Sequence, residues 1–357
     1  MTDVPLPTAI LGASGYIGQH FARLLDDHPR FGRPLLGAGE RSDGRRLSDV
    51  WLLSEPTPPH LGDQRLTRLS PAALERAGVR AVFSALPSGT AGEIETELVR
   101  RGISVFSNAA DHRMDPTVPL LVPEVNARHL SLLARRPRHR GLLIANPNCS
   151  ATGLVVALAP VLRLLAPRAV HVATYQSISG AGYPGVPSLS VTDNVVPFIR
   201  EEEEKLELES TRILGTFRSG RVRPARFPLL AHCARVATRE GHLEAVTVEA
   251  TRRPTIAELR TAWSTFDPLR ALGLPTAPHP PIELRREPDR PQPVRDRWAG
   301  SPERARGMAV VVGRLRWTPP YLRFFVLSHN AVRGGAGGSV LNAELTAAKG
   351  YLDPGAA

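Results

Sequence analysis

The chain of 357 residues contains two cysteines, and one of them stands where a cysteine can react. Cys149 lies in Asn146-Pro147-Asn148-Cys149-Ser150, between a short apolar strand, Leu142 to Ala145, and an apolar helix expected over Ala151 to Leu165. A helix N-terminus carries partial positive charge and unpaired N–H groups, which favour a thiolate over a thiol. A thiolate attacks acyl carbons and forms a covalent intermediate. The same position equally suits a cysteine packed as a small hydrophobe, and position alone does not separate the two. Covalent acyl chemistry also needs a group that moves protons. His242 is one candidate among eleven histidines, in Arg235-Val236-Ala237-Thr238-Arg239-Glu240-Gly241-His242, after one apparent strand and before another.

A second constellation points to phosphate. Gly12-Ala13-Ser14-Gly15-Tyr16-Ile17-Gly18 follows the apolar run Thr8 to Leu11 and precedes a helical stretch, Gln19 to Leu25. Strand, glycine loop and helix open a dinucleotide-binding unit: the glycines let backbone approach a pyrophosphate, and the helix N-terminus supplies N–H donors. Gly12, Ser14, Gly15, Tyr16 and Ile17 are therefore expected at a cofactor. After the next strand comes Glu40-Arg41-Ser42-Asp43-Gly44-Arg45-Arg46. Arg41 and Ser42 suit a 2′-phosphate, because a guanidinium bonds phosphate through two parallel N–H groups, so NADP is expected rather than NAD.

The elements that position these groups read as two domains. Strands at Pro34 to Ala38, Val79 to Ala85 and Ser104 to Asn108, with a helix from Ala91 to Arg101, continue the alternation begun at Thr8 and argue for a parallel sheet with helices on both faces. After Asn146 the pattern changes to strands at Ala169 to Gln176, Ala245 to Ala250, Met308 to Arg316 and Leu322 to Leu327, with a charged helix over Arg200 to Leu214. A last helix, Gly338 to Tyr351, is expected to return to the first domain. The expectation is an α/β fold: a Rossmann-like dinucleotide-binding domain (1–147 with 334–357) and an α+β catalytic and dimerisation domain (148–333). The Pro-rich stretch Leu274 to Pro293 reads as an irregular loop.

Composition narrows the function class. A hydrophobic fraction of 42% is ordinary for a globular protein, and no apolar run is long enough to cross a membrane. Met1 to Pro7 lacks the pattern of a signal peptide, so a cytoplasmic location and reduced cysteines are expected. The net charge of +11 would suit an anionic partner, but only Lys205 and Lys349 are lysines, which marks a compositional bias toward arginine. The densest basic stretch, Arg285 to Arg306, is laced with Pro and Asp and reads as a solvated loop. Neither a nucleic-acid partner, a membrane nor a metal site is expected.

Six motifs in order resemble the aspartate-semialdehyde dehydrogenase family, in the branch typical of archaea and fungi. They are Asn146 to Ser150, Gln176 to Gly185, Asp193 to Pro197, Glu202 to Lys205, Arg235 to His242 and Asn330 to Gly334, and the likeness runs from Gly12 to Tyr351. The resemblance implies that Cys149 is the nucleophile, His242 the acid and base, and Gln176 the residue that orients substrate. It implies that Arg235 holds the substrate carboxylate, Glu202 its amino group, and Lys205 and Arg113 its phosphate, with Asn148 assisting. Read without it, Glu202 and Lys205 are an ordinary ion pair on one helix face. The resemblance also extends the NADP site to Ser84, Pro87, Ser179, Gly180, Gly182 and Asn330, and implies a homodimer or tetramer acting on a small molecule. Gly335, Ala237, Gly39 and Gly89 depart from the family's usual residues without removing a reacting group, and leave room for a specialised paralogue. The rival readings are a related acyl-phosphate or acyl-CoA reductase and a non-catalytic NADP-binding protein.

Overall fold

The structure, a computed structural model, describes residues 5–137 and 139–352; the outermost residues of the expected first domain, 1–4 and 353–357, lie outside it. Two compact units make up the chain. One comprises Met1–Leu121, His129–Asn146 and Gly335–Ala357, the other Val122–Arg128 and Pro147–Gly334. The short segment Val122–Arg128, expected with the first domain, belongs to the second. Its Glu124 is clamped there by both terminal nitrogens of Arg333, at 2.9 and 2.8 Å, with both side chains buried.

Elements are numbered along the chain. In the first unit β1 (Thr8–Leu11), β2 (Leu35–Gly37), β3 (Ala81–Ser84), β4 (Ser104–Ser107) and β5 (Leu143–Ala145) form a parallel sheet in the order β2-β1-β3-β4-β5. All four residues of β1, β3 and β4 are buried, the pattern of strands covered on both faces. Helices α1 (Tyr16–Leu25), α2 (Pro71–Arg76), α3 (Ala91–Arg100) and α11 (Gly337–Ala348) supply the cover. Phe21, Phe31, Phe83 and Phe106 form one cluster, with neighbouring ring centroids 5.3–5.6 Å apart. Leu74 and Leu98 pack with Ala9, Leu11, Val82 and Val105 in another. Each large side chain so buried stabilises the fold by about 1.5–3 kcal/mol. The strand order reverses between β1 and β3, so the loops after these strands flank the crevice where such sheets bind ligands.

The second unit is built on a mixed six-stranded sheet in the order β11-β12-β13-β10-β6-β9. Its strands are β6 (Pro167–Gln176), β9 (Leu229–Arg235), β10 (His242–Ala250), β11 (Ile282–Leu284), β12 (Val310–Thr318) and β13 (Tyr321–Ser328), with a separate hairpin of β7 (Thr216–Arg218) and β8 (Arg221–Arg223). Along β10 burial alternates residue by residue, so only one face is fully covered. Helices α5 (Cys149–Leu158), α8 (Glu202–Ile213) and α9 (Ile256–Ser264) accompany the sheet. Trp263 of α9 donates its indole N–H to the Ala157 carbonyl at 2.8 Å and packs edge-on against Phe324 of β13. Short helical turns α4 (Pro123–Asn126), α6 (Leu162–Leu165), α7 (Ser188–Val191) and α10 (Pro293–Asp296) complete the unit.

Three expectations need correction. The helix expected to run to Leu165 stops at Leu158 and resumes only as α6, because Pro160 has no N–H to continue it. The stretch Leu274 to Pro293 contains an edge strand, β11, paired in parallel with β12. The basic stretch from Arg285 is organised around a buried carboxylate. Asp296 accepts from Arg285 Nε at 3.1 Å, from Arg290 Nε at 2.7 Å and from the Gln292 N–H at 2.7 Å.

Candidate active site

Cys149 is the first residue of α5 and is half-buried, while Ser150 to Leu158 are all buried. A helix apolar on every side is a core element, so the residue at its tip is held rigidly. Asn148 caps it: Oδ1 accepts from the N–H groups of Ser150 (2.9 Å) and Ala151 (3.1 Å). Its own N–H donates to Glu209 Oε2 at 2.6 Å, and its Nδ2 donates to Glu202 Oε1 at 2.9 Å. Glu202 and Glu209 are two turns apart on α8 and share a face. Asn148, implied as a substrate residue, is thus occupied in building the helix start. Gly334 leaves room for the nucleophile, since a Cβ there would lie 2.6 Å from Cys149 Cβ.

His242, the first residue of β10, is fully buried and places Nε2 3.2 Å from Cys149 Sγ. Its Nδ1 accepts the Ser177 N–H at 3.1 Å, so the neutral ring carries its proton on Nε2, aimed at the sulfur. Burial, and then the Arg235 guanidinium, push the imidazole down to about 3, which keeps it uncharged at neutral pH. Ser177 Oγ also lies 3.1 Å from Nδ1 and donates to Asn330 Oδ1 at 3.1 Å. Its lone pairs therefore face the ring and can accept from Nδ1 when His242 takes a second proton. Asn330 braces this arrangement: Oδ1 accepts the Gly241 N–H and Nδ2 donates to Ser179 Oγ, each at 2.9 Å. Ser179 and Asn330, implied as cofactor residues, hold the histidine in place.

Arg235 ends β9 and Gln176 ends β6, and the two are register partners. Arg235 Nη1 donates to the Ser177 carbonyl at 2.8 Å. Burial lowers its hold on the proton from the usual guanidinium value. Gly180 is glycine because a Cβ would come within 2.7 Å of Arg235 Nη1 and 3.1 Å of the His242 ring. Gln176 Nε2 donates to Glu202 Oε1 at 2.8 Å. One oxygen of Glu202 thus serves two amides, Asn148 and Gln176, and Oε2 has no hydrogen-bond partner among the described residues. Lys205, expected on one face with Glu202, pairs instead with Glu201 Oε2 at 3.0 Å and is a third exposed. Gly182 has φ +71° and open space around it. Arg113 belongs to the first unit, where Nη2 donates to the Asn108 carbonyl at 2.8 Å.

The glycine loop lies wholly in the first unit. Gly12 has φ +79°, and a Cβ on it would sit 2.7 Å from the Ala85 carbonyl oxygen; one on Gly18 would sit 2.0 Å from the Gly12 carbonyl oxygen. These glycines fold the loop tightly onto the ends of β1 and β3. Gly15 is the N-cap of α1 and has no side chain to cap it, so Ser14, Tyr16 and Ile17 surround a helix end suited to an anion. Ser84 is buried at the end of β3 and Pro87 is exposed just beyond. Arg41 and Ser42 sit on a 3₁₀ turn, Glu40–Ser42, after β2, with Arg41 exposed. The space beside Gly39 is open.

A family model described as semialdehyde dehydrogenase, NAD binding domain, matches residues 7–133, and another, semialdehyde dehydrogenase, dimerisation domain, matches residues 158–333. The chain belongs to the semialdehyde dehydrogenase family. It is 43% identical to the aspartate-semialdehyde dehydrogenase of Archaeoglobus fulgidus, over 94% of this chain and 96% of that one. It is also 37% identical to the malonyl CoA reductase (NADP) of Metallosphaera sedula, over 98% of both. Among solved structures, the aspartate semialdehyde dehydrogenase of Candida albicans with NADP superposes with a TM-score of 0.86 at 33% identity, covering 97% of this chain and 99% of that one.

Four residues around the semialdehyde dehydrogenase nucleophile escaped the sequence reading. Ser177 follows Gln176 inside a quoted motif, but nothing local says that its N–H and hydroxyl meet a histidine 65 residues away. Glu209 is legible only by extending the Glu202 face two turns along α8. Glu124 was hidden in a segment expected with the first domain, which groups with the second compact unit. Glu244, two residues after His242 on the same face of β10, is fully buried with neither oxygen hydrogen-bonded. Burial first, and then the charge of Glu202, push its pKa well above the usual carboxylate value, favouring the protonated form.

Proposed function

We propose that the chain is an aspartate-semialdehyde dehydrogenase, reducing 4-phospho-L-aspartate to L-aspartate 4-semialdehyde and phosphate with NADPH. The observation that carries this reading is the Cys149–His242 pair at the tip of a buried helix, accompanied by the guanidinium of Arg235 and the carboxylate of Glu202. A thiol beside an imidazole suits acyl transfer. Charges of opposite sign suit an α-amino acid, Arg235 taking the carboxylate and Glu202 Oε2 the ammonium group. The glycine loop, the uncapped start of α1 and the Arg41–Ser42 turn fit a dinucleotide with a 2′-phosphate.

In the mechanism, Cys149 attacks the acyl carbon as a thiolate. The C–S bond forms, the C–O bond to phosphorus breaks, and phosphate departs with the electron pair. Lys205 and Arg113 are the cations assigned to that group, each through its resemblance to a phosphate-binding position. NADPH, when bound, supplies the hydride that reduces the thioester carbon. Holding the Cys149 proton as well as its own, with Nδ1–H donated to Ser177 Oγ, His242 protonates the resulting oxyanion from Nε2 and takes that proton back as the C–S bond breaks, releasing aldehyde and thiolate. Gln176 and Asn148 keep Glu202 in position throughout.

The likeness to malonyl CoA reductase favours a second reading, reduction of a CoA thioester. A malonyl group has no amine for Glu202, which favours the first. Purified protein tested for NADP reduction with aspartate semialdehyde and phosphate, beside malonate semialdehyde and coenzyme A, separates them. Phosphate-dependent turnover of the first pair that vanishes in Cys149→Ala supports the proposal; turnover of the second pair alone sinks it. The half-covered sheet face carries the exposed Tyr175, Leu230 and Tyr321, which suits a homodimer. Light scattering at twice the monomer mass would support that assembly.

A further inference from the structure

Away from the nucleophile, the second unit holds a pocket of about 730 Å³ between α9, the end of β11 and the middle of β12. Five arginines line it: Arg260 from α9, Arg285 and Arg286 after β11, and Arg314 and Arg316 from β12. Glu287 is the one carboxylate among the lining residues described. Arg285 is neutralised by Glu283 and Asp296, with contacts of 2.7 and 3.1 Å. Among the described residues, no carboxylate reaches ion-pair distance of Arg260, Arg286, Arg314 or Arg316.

An arginine-rich composition spreads guanidinium groups over a surface, where water screens them. Gathering four unpaired ones in a single concavity raises their mutual repulsion. Backbone devices hold them there. The β12–β13 register shifts between Gly313 and Arg316. Gly313 lies so close to the Arg290 carbonyl that a Cβ would sit 2.5 Å from its oxygen. Arg314 adopts φ +58°, a left-handed backbone uncommon for a side chain of its kind, and Nη1 is tied to the Pro288 carbonyl at 2.5 Å. Unfavourable backbone beside uncompensated charge is the pattern of a binding site rather than of packing.

We propose that this pocket binds a small molecule carrying two or more phosphoryl groups. Its volume falls in the range of small-molecule sites. Planar guanidinium forks match phosphoryl oxygens two at a time, and several forks select for several phosphoryl groups. None of the lining residues takes part in the reaction proposed above, so the two ideas stand or fall separately.

Calorimetric titration of the full chain with inorganic tripolyphosphate tests the proposal, beside the double variant Arg286→Ser/Arg316→Ser. Both replaced residues are exposed, so the unliganded variant should melt at the wild-type temperature or above it. The expected result is binding by wild type that is at least ten-fold weaker in the variant and weakens as salt is added. The upward shift of melting temperature caused by tripolyphosphate should be lost in the variant as well. Equal affinity in both proteins would overturn the proposal, because the anion would then be held at the glycine loop or the nucleophile. Absence of binding to wild type would also overturn it, and so would citrate binding as tightly as tripolyphosphate.

Discussion

Replacing Gly334 with alanine strikes the nucleophile without touching any reacting group. The added Cβ would lie 2.6 Å from Cys149 Cβ, 2.7 Å from its Cα and 2.9 Å from its carbonyl oxygen. Carbon atoms pack at about 3.5–4.0 Å, so one side must move by roughly 1 Å. Cys149 heads a helix whose following nine residues are all buried, and Gly334 is tied to the His329 carbonyl by its N–H. Neither yields cheaply. Overpacking of this kind costs about 1–3 kcal/mol, and in a chain of this size each kcal/mol lowers Tm by roughly 2–4 °C. A misplacement of about 1 Å costs on the order of 100-fold in rate. Gly334→Ala should therefore fold, melt a few degrees early, and lose about two orders of magnitude in kcat with little change in NADPH affinity. NADP reduction with aspartate semialdehyde and phosphate, scanning calorimetry and the alkylation rate of Cys149 would read these separately. Wild-type kcat in a variant with wild-type Tm would refute the reasoning, because it would mean that the tip of α5 adapts without cost.

Three other substitutions follow from the same geometry. His242→Asn should lower kcat by about 10²–10⁴-fold, the range for a proton-transfer group, while leaving NADPH binding intact; steady-state kinetics and fluorescence titration check the two halves. The folded-state pKa of Glu244 lies above 4.5, so its contribution to stability is complete below about pH 4.5 and is lost as pH rises toward the folded value. Glu244→Gln keeps the shape without the proton equilibrium, and its Tm relative to wild type should climb as pH rises above about 4.5; parallel Tm curves would contradict a raised carboxyl pKa. Asp296→Ala strands Arg285 and Arg290 around an empty centre and should cost about 3–5 kcal/mol, measured by urea denaturation, whereas a solvated loop would tolerate the change.

Local pattern made much of this architecture legible. The apolar runs at Thr8 and Val79, the glycine loop between strand and helix, and the final helix each announce themselves through short-range chemistry. Helix α9 also left a signal that went unread: Thr255 and Glu258 form a reciprocal capping box, with Thr255 Oγ1 accepting the Glu258 N–H. What stayed hidden depends on pairings distant in sequence. Asp296 looks like one more acid in a basic loop until Arg285 and Arg290 close on it. Lys205 could as well have paired with Glu202 as with Glu201, because residues three and four apart both face one another on a helix. Asn148 matched a substrate-binding motif, yet the start of α5 claims its side chain as a cap. Motifs give residue identity, and only the fold says whether a polar group is already spent.

Carboxylates around the nucleophile pose a problem that the structure resolves group by group. A thiolate at Cys149 adds negative charge to a region that already holds Glu202, Glu209 and Glu244. Glu209 takes the Asn148 N–H at the positive end of α5, where a helix stabilises an anion. Glu202 keeps Oε1 engaged with two amides. Glu244, buried without a donor and under the charge of Glu202, is pushed toward its protonated form instead. Uncharged His242 then offers Nε2–H to the sulfur, and Arg235 remains the nearby cation. One oxygen, Glu202 Oε2, has no hydrogen-bond partner among the described residues. A ligand bearing both a carboxylate and an ammonium group satisfies Arg235 and that oxygen together, whereas a ligand with the carboxylate alone leaves one oxygen of a buried acid unpaired. Selectivity for an amino acid therefore arises from the cost of that unpaired oxygen as much as from any attraction to the amine.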